Sequence, residues 1–335
     1  MKRSARAWLP LCLLCLWPAA SAQEPAPDAA EPAPDAGAPA PDAGAPAPNL
    51  ELGPPVGVVF QLNDSMVKDR VVAGVRVELR ASPEAAPMFS GDTGADGKLA
   101  LRVPSGRWLV SYHRQGYVPL VGSPTEIQAE GQVITTTLSM LLESTGNTGR
   151  KRIQIVLNWG SDRSQVKDAD SHLACACGQG HVYYGSKVHS ADDPRHEVNL
   201  DVDDMDWGGP ETVTILDPIP GSYTYWVHNY SGSPSLGASA VVVRVILDDA
   251  VAGEYPIPGA WDAPGWRPFK AIVVGADGLA QVEPFSEAEL RADAARVVPE
   301  GTMSDLENCE SSCVAGGVAA LILLGWVISL FVKRR

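Results

Sequence analysis

Apolar and polar residues alternate in short runs along most of this chain. Val56, Val58 and Phe60 alternate, as do Val75, Val77 and Leu79, then Leu99, Leu101 and Val103, then Trp108, Val110 and Tyr112. A period of two is that of a strand with one face on a core. Turn-forming residues separate the runs, from Gly91 to Gly97 and again at Pro104-Ser105-Gly106. Residues 54–143 are therefore predicted to form a small β-sandwich. After a polar linker at 144–150, a second β-rich domain is predicted over 151–285. Its first strand places Ile153, Ile155, Leu157 and Trp159 on one face and Arg152, Gln154 and Asn158 on the other. Further strands are expected at 197–203, 213–216, 222–230 and 240–247. No long amphipathic helix appears, which argues against a parallel α/β fold. The expected class is all-β, with two β-sandwich domains in tandem. A short helix is expected at 286–296, within a stalk running to 313.

Two stretches depart from alternation altogether. Residues 314–332 are uncharged and apolar, and Lys333, Arg334 and Arg335 follow. At helical rise about 19 residues span roughly 28 Å, near the hydrocarbon thickness of a bilayer. A transmembrane helix with a cytoplasmic basic end at 333–335 is expected. At the other end, Lys2, Arg3 and Arg6 precede an apolar run over 8–17 and the small residues Ala20-Ser21-Ala22. That order is expected of a cleaved signal peptide, 1–22. Leu11 and Leu14 stand before Cys12 and Cys15, where lipidation would need a small residue. Residues 23–53 repeat a seven-residue unit, as in Glu31-Pro-Ala-Pro-Asp-Ala-Gly37. Alternating prolines exclude helix and central strand, so an extended spacer reaching about 80 Å is expected. The bulk of the chain is then expected on the periplasmic or extracellular side of the cell membrane, held by a single pass.

Composition narrows the partners. A formal net charge of −14 excludes nucleic acid and disfavours adhesion to anionic lipid. Without the signal four cysteines remain, Cys175, Cys177, Cys309 and Cys313, which allow three disulfide pairings. Cys175 and Cys177 are too close in sequence to bridge within one strand. Tyr183, Tyr184, Tyr223, Tyr225, Trp226 and Tyr230 could form a carbohydrate-stacking platform, although strand alternation must send about half of them to the core.

The densest polar run is Leu200-Asp-Val-Asp-Asp-Met-Asp-Trp-Gly-Gly-Pro-Glu211. Alternation puts Val198, Leu200 and Val202 inward and Asn199, Asp201 and Asp203 on the opposite face. Calcium takes six to eight oxygen ligands, and loops at a sandwich end can supply them. The candidate calcium ligands are Asp168, Asp170, Asp201, Asp203, Asp204, Asp206 and Glu211. The order does not fit an EF-hand loop. The plainer alternative is a solvated acidic edge that discourages strand aggregation. A zinc set would draw on His172, Cys175, Cys177 and His181, but their spacing fits no helical or finger pattern, and strand-edge histidines need no metal. No Gly-x-Ser-x-Gly elbow is present. Residues 92–98 lack the first glycine and the final hydroxyl of a phosphate loop, and a hairpin turn accounts for them better. Asp201, Asp203 and Glu211 could still serve as the acid and base of a hydrolase of envelope polymers.

Two resemblances follow from these motifs. Gly74-Val-Arg-Val-Glu-Leu79, Thr93-Gly-Ala-Asp-Gly-Lys98, Val103-Pro-Ser-Gly106 and Gly116-Tyr-Val-Pro119 resemble the carboxypeptidase regulatory-like, transthyretin-like family, which implies a spacer or stability module without catalysis. Asn158-Trp159, Asp168-Ala-Asp-Ser-His-Leu173, His181-Val-Tyr-Tyr184, Leu200-Asp-Val-Asp-Asp204 and Gly209-Pro-Glu-Thr-Val-Thr-Ile215 resemble the YfaP-like family of bacterial secreted domains, as does 220–231. That family carries no activity to transfer. The run Cys309-Glu-Ser-Ser-Cys313 before the apolar stretch also loosely resembles myxobacterial sorting tails, which implies cleavage and release to the cell surface. Together the expectation is a non-enzymatic envelope protein that binds or scaffolds protein or glycan, with no catalytic residues and no cofactor beyond calcium.

Overall fold

A computed structural model describes residues 52–160, 162–176, 180–190, 193–292 and 294–298, all within one compact unit. The expected signal, most of the spacer, the distal stalk and the apolar segment 314–332 lie outside the described residues. No helix among the described residues is long and apolar enough to cross a membrane.

The described chain is almost entirely β. Seven strands form the first part: β1 (Pro55–Asp64), β2 (Arg76–Arg80), β3 (Phe89–Asp92), β4 (Lys98–Pro104), β5 (Gly106–His113), β6 (Leu120–Ile127) and β7 (Gln132–Leu138). They make a three-stranded sheet ordered β4-β1-β7 and a four-stranded sheet ordered β3-β2-β5-β6. Between them lies one apolar cluster that includes Val58, Phe60, Leu62, Val77, Leu79, Trp108, Val110 and Tyr112. The alternation in β1, β2 and β5 builds this core directly, because every second side chain points at the facing sheet. The 92–98 segment is a corner between sheets and not a hairpin, since β3 and β4 belong to different sheets. Gly97, at φ +71, makes the reversal, and a Cβ there would meet the Leu62 carbonyl oxygen at 2.9 Å.

The second part contains β8 (Arg152–Asn158), β9 (Ala169–Ala174), β10 (His181–Val182), β11 (Val188–Ser190), β12 (Glu197–Val202), β13 (Glu211–Leu216), β14 (Gly221–Asn229), β15 (Val242–Leu247), β16 (Ala250–Pro256), β17 (Gly265–Trp266), β18 (Ala271–Val274) and β19 (Ala280–Glu283). One sheet runs β11-β12-β13-β8-β15-β16; the other runs β10-β9-β14-β18-β19, with β17 on β14. A second apolar cluster fills the space between them, from Ile153, Ile155 and Leu157 on one side to Leu173, Tyr223, Tyr225 and Val227 on the other. A one-and-a-half-turn helix, α1 (Glu287–Ala292), follows.

The polar face of β8 is not solvated. Arg152, Gln154, Thr212, Thr214 and Arg244 are all buried on the outer face of the β8–β13–β15 sheet. The first seven-stranded part covers them. Arg152 Nη1 donates to the Met140 carbonyl at 2.8 Å and Nη2 to Asp249 at 2.9 Å. Arg244 Nη1 donates to the Thr137 carbonyl at 2.7 Å, and its Nε to Glu254 at 2.7 Å. Lys68 pairs with Asp204 at 2.8 Å, and Asp249 accepts the Leu142 N–H at 2.9 Å. Alternation shows that a face is polar; it cannot show that another part of the same chain will lie on it.

Candidate functional site

The site grows from the pleat of β9. Ala169, Ser171 and Leu173 point into the core, so Asp170 and His172 point to the opposite face. Register then places His228 of β14 opposite Asp170 and Trp226 opposite His172. His181, opposite Ala174 across the β10–β9 pair, joins the same face.

Seven rings assemble there, His228 meeting His172 edge to face at 6.0 Å. His172 and Trp226 stack at 5.2 Å between centroids, His181 and Trp226 at 5.2 Å, and His181 and Tyr183 at 4.4 Å with planes 10° apart. A ring hydrogen bond joins His172 Nδ1 and His181 Nε2 at 3.1 Å. Burial holds His172 down to about 3, with His181 and His228 adding to the shift, and burial alone holds His181 at about 4. Both are neutral at pH 7, so one ring donates its single N–H and the other accepts. Over this stack Tyr184 and Tyr230 meet edge to face at 5.6 Å, 45% and 58% exposed. Tyr223 and Tyr225 fill the core instead.

Beneath the rings sits a carboxylate group. Ligand oxygens of Asp170, Asp203 and Glu211 lie within 4.8 Å of one another, and Asp170 is equally close to nitrogens of His172 and His228. Glu211 is fully buried and Asp170 is 3% exposed. One Glu211 oxygen accepts the Ser171 N–H, while Glu211 Oε1 and Asp170 Oδ2 have no hydrogen-bond partner among the described residues. Burial pushes Asp170 up to about 7, with Asp168 and Asp203 adding repulsion. Burial and then Asp170 drive Glu211 well above the usual carboxylate range. Asp168 is raised by burial and by Asp203, and its Oδ1 is likewise unpartnered.

Four of the seven acids singled out in the sequence thus gather here, Asp168, Asp170, Asp203 and Glu211. The other three do not. Asp204 is bound by Lys68, and Asp206 lies 3.7 Å from Lys167. Asp201 faces the other side of its sheet, where Thr214 and Arg152 oppose the rise to about 6 that burial imposes. A β-bulge explains this separation. Register shifts between Leu200 and Val202: Leu200 still opposes inward Val213, whereas Val202 opposes outward Thr212. Asp201 and Asp203 therefore point to opposite faces, contrary to a simple i, i+2 reading, and the acid–base set of Asp201, Asp203 and Glu211 is not assembled. Lys187, unforeseen, forms an ion pair with Asp203.

The zinc set is not assembled among the described residues. Cys175 is buried in the second core, its thiol pushed up to about 12 by burial, and Cys177 lies outside the described residues. His228 was the residue that sequence reasoning missed as a site component. Its only signal was the pairing of β14 with β9, which a single strand pattern cannot disclose.

No family model and no curated protein matches the chain. Solved structures give distant likenesses. A protein of unknown function, SAV2460, is 16% identical with a TM-score of 0.32, over 41% of this chain and 89% of its own. The major pilin subunit BcpA of Bacillus cereus is 10% identical with a TM-score of 0.24, over 70% and 93%. A proposed carbohydrate-binding protein from Bacteroides uniformis is 9% identical with a TM-score of 0.23, over 62% and 100%. All three scores lie below 0.5, so none identifies a shared fold or a shared activity.

Proposed function

We propose that the chain is a non-enzymatic binding protein of the cell envelope, whose recognition surface is the ring-covered outer face of the β10–β9–β14 sheet and whose ligand is a glycan. One observation carries this reading: Tyr184 and Tyr230 are exposed as an adjacent pair above a buried stack of histidine and tryptophan rings. Exposed aromatic faces stack on the apolar C–H faces of sugars, and a rigid platform loses little entropy on binding. The neutral histidines beneath each spend a ring nitrogen on the bond that joins them, which stiffens the platform. Catalysis has no comparable support, because the acids nearest this face are buried and Asp201 is turned away from them.

In this reading the first seven-stranded part, carboxypeptidase regulatory-like in its motifs, is a support clamped to the YfaP-like second part. Export by 1–22 and anchoring by 314–332 would hold both beyond the membrane on the 286–313 stalk, with the proline-rich spacer extending from the other end. The test is isothermal titration of the full chain with soluble envelope glycan fragments. Tyr184→Ala and Tyr230→Ala should each weaken binding about tenfold, in line with about 1.4 kcal/mol per lost stacking partner. Equal affinity for wild type and both variants would remove the face from any role in recognition.

A further inference from the structure

We propose that Asp170, Asp203 and Glu211 form a binding site for a divalent cation of the calcium type, tying the two sheets of the second part together. This site lies behind the ring-covered face and does not depend on a glycan binding there.

Three observations support it. Oxygens that share an ion at about 2.4 Å can be at most about 4.8 Å apart, and calcium bonds fall at this length. The three carboxylates meet that bound pairwise. The second observation concerns partners. Glu211 Oε1 and Asp170 Oδ2 belong to two members of this group that are fully and 97% removed from solvent, and neither accepts a hydrogen bond among the described residues. Buried polar atoms without partners are rare in folded proteins, because each forfeits its hydration with nothing in return. By contrast, every guanidinium nitrogen of buried Arg152 and Arg244 is engaged. The third is placement. Asp170 comes from β9 of one sheet, whereas Glu211 opens β13 and Asp203 follows β12 in the other. A cation between them would join strands that the Ser171 N–H to Glu211 bond already brings together.

Hard oxygen donors favour calcium over softer metals. Asp168, with its own unpartnered Oδ1, is a fourth carboxylate close enough to feel Asp203, and water would complete the coordination. Lys187 neutralises part of the charge on Asp203 from outside. The competing arrangement is Asp170 with His172 and His228, a nitrogen-rich set that would prefer zinc.

The experiment is thermal unfolding of the full chain in chelator, in millimolar calcium chloride and in micromolar zinc chloride. Calcium should raise the wild-type midpoint by several degrees over chelator. Glu211→Gln, which keeps the acceptor for the Ser171 N–H, should fold in chelator with a midpoint no lower than wild type and lose the calcium response. Asp204→Asn, at an acid bound by Lys68 and outside the group, should keep it. Identical wild-type midpoints in calcium and chelator overturn the proposal. So does a calcium response retained by Glu211→Gln, or a rise with zinc but none with calcium, which would assign the ion to the histidine set.

Discussion

Two buried charged clusters sit on opposite faces of the second part, and they are built on different rules. On the face covered by the first part, Arg152 and Arg244 are 2% and 6% exposed, yet their guanidinium groups reach carbonyls across the junction and carboxylates on their own side of it. Behind the ring-covered face, Asp170 and Glu211 are just as deeply buried but keep oxygens with no partner and crowd each other with like charge. The two arginines are satisfied within the chain and serve structure, although Asp201 Oδ2 and Gln154 Oε1 on the same face lack partners among the described residues. The second, in the proposal made above, is completed by a cation. Buried charge in a native protein is tolerated when it is answered, so the unanswered cluster is where function is to be sought.

Breaking the first cluster should have the largest effect. Arg152→Ala removes the guanidinium donors to the Met140 and Asp248 carbonyls and leaves Asp249 with the Leu142 N–H but no counter-charge, at a loss of about 3–5 kcal/mol. Denaturant titration of the full chain measures it. A loss under about 1 kcal/mol would mean that the junction is not held by this residue.

The second cluster should answer with the opposite sign. In chelator at pH 8, Asp170→Asn removes a charge that the fold holds against burial and two neighbouring acids, and gives the group a donor. The expected gain is about 2 kcal/mol, since each unit of pKa displacement corresponds to about 1.4 kcal/mol and part is lost to relaxation. A variant less stable than wild type in chelator would show that the acids are held by contacts within the chain and would erase the contrast.

The smallest effect comes from the ring stack. His181 is held at about 4, below the roughly 6.5 of an unfolded histidine. The unfolded chain therefore binds its proton first as pH falls. The stability that neutral His181 contributes is present above about pH 6.5 and is lost as pH drops through about 4. His172, Tyr183 and Trp226 pack against it. His181→Phe keeps the ring and abolishes the titration. Between pH 7.5 and 4.5 the wild type should lose about 1 kcal/mol more than the variant, a figure reduced because the ring is part-exposed. Parallel pH profiles would show that the ring is solvated enough to titrate freely.

Much of the fold was legible because alternation is local. Val77, Leu79, Trp108 and Val110 declare the first core from a few consecutive residues each, and Ile153, Ile155 and Leu157 declare the second. The candidate site was legible only by halves. Asp168, Asp170, Asp203 and Glu211 could be chosen as acids near strands, because loops and strand ends carry oxygen ligands. That His172 and His228 would stand beside Asp170 depended on a pairing between strands far apart in sequence. The burial of Arg152 and Gln154 depended on a second set of sheets, and nothing in β8 announces it.

The bulge in β12 acts as a sorting device. Two aspartates one residue apart are delivered to separate compartments, Asp201 towards an arginine and Asp203 towards the other acids. Without the bulge, strict alternation would return Asp201 and Asp203 to one face of the sheet. The fate of each acid therefore rests on the spacing of the backbone, more than on which side chain occupies the position.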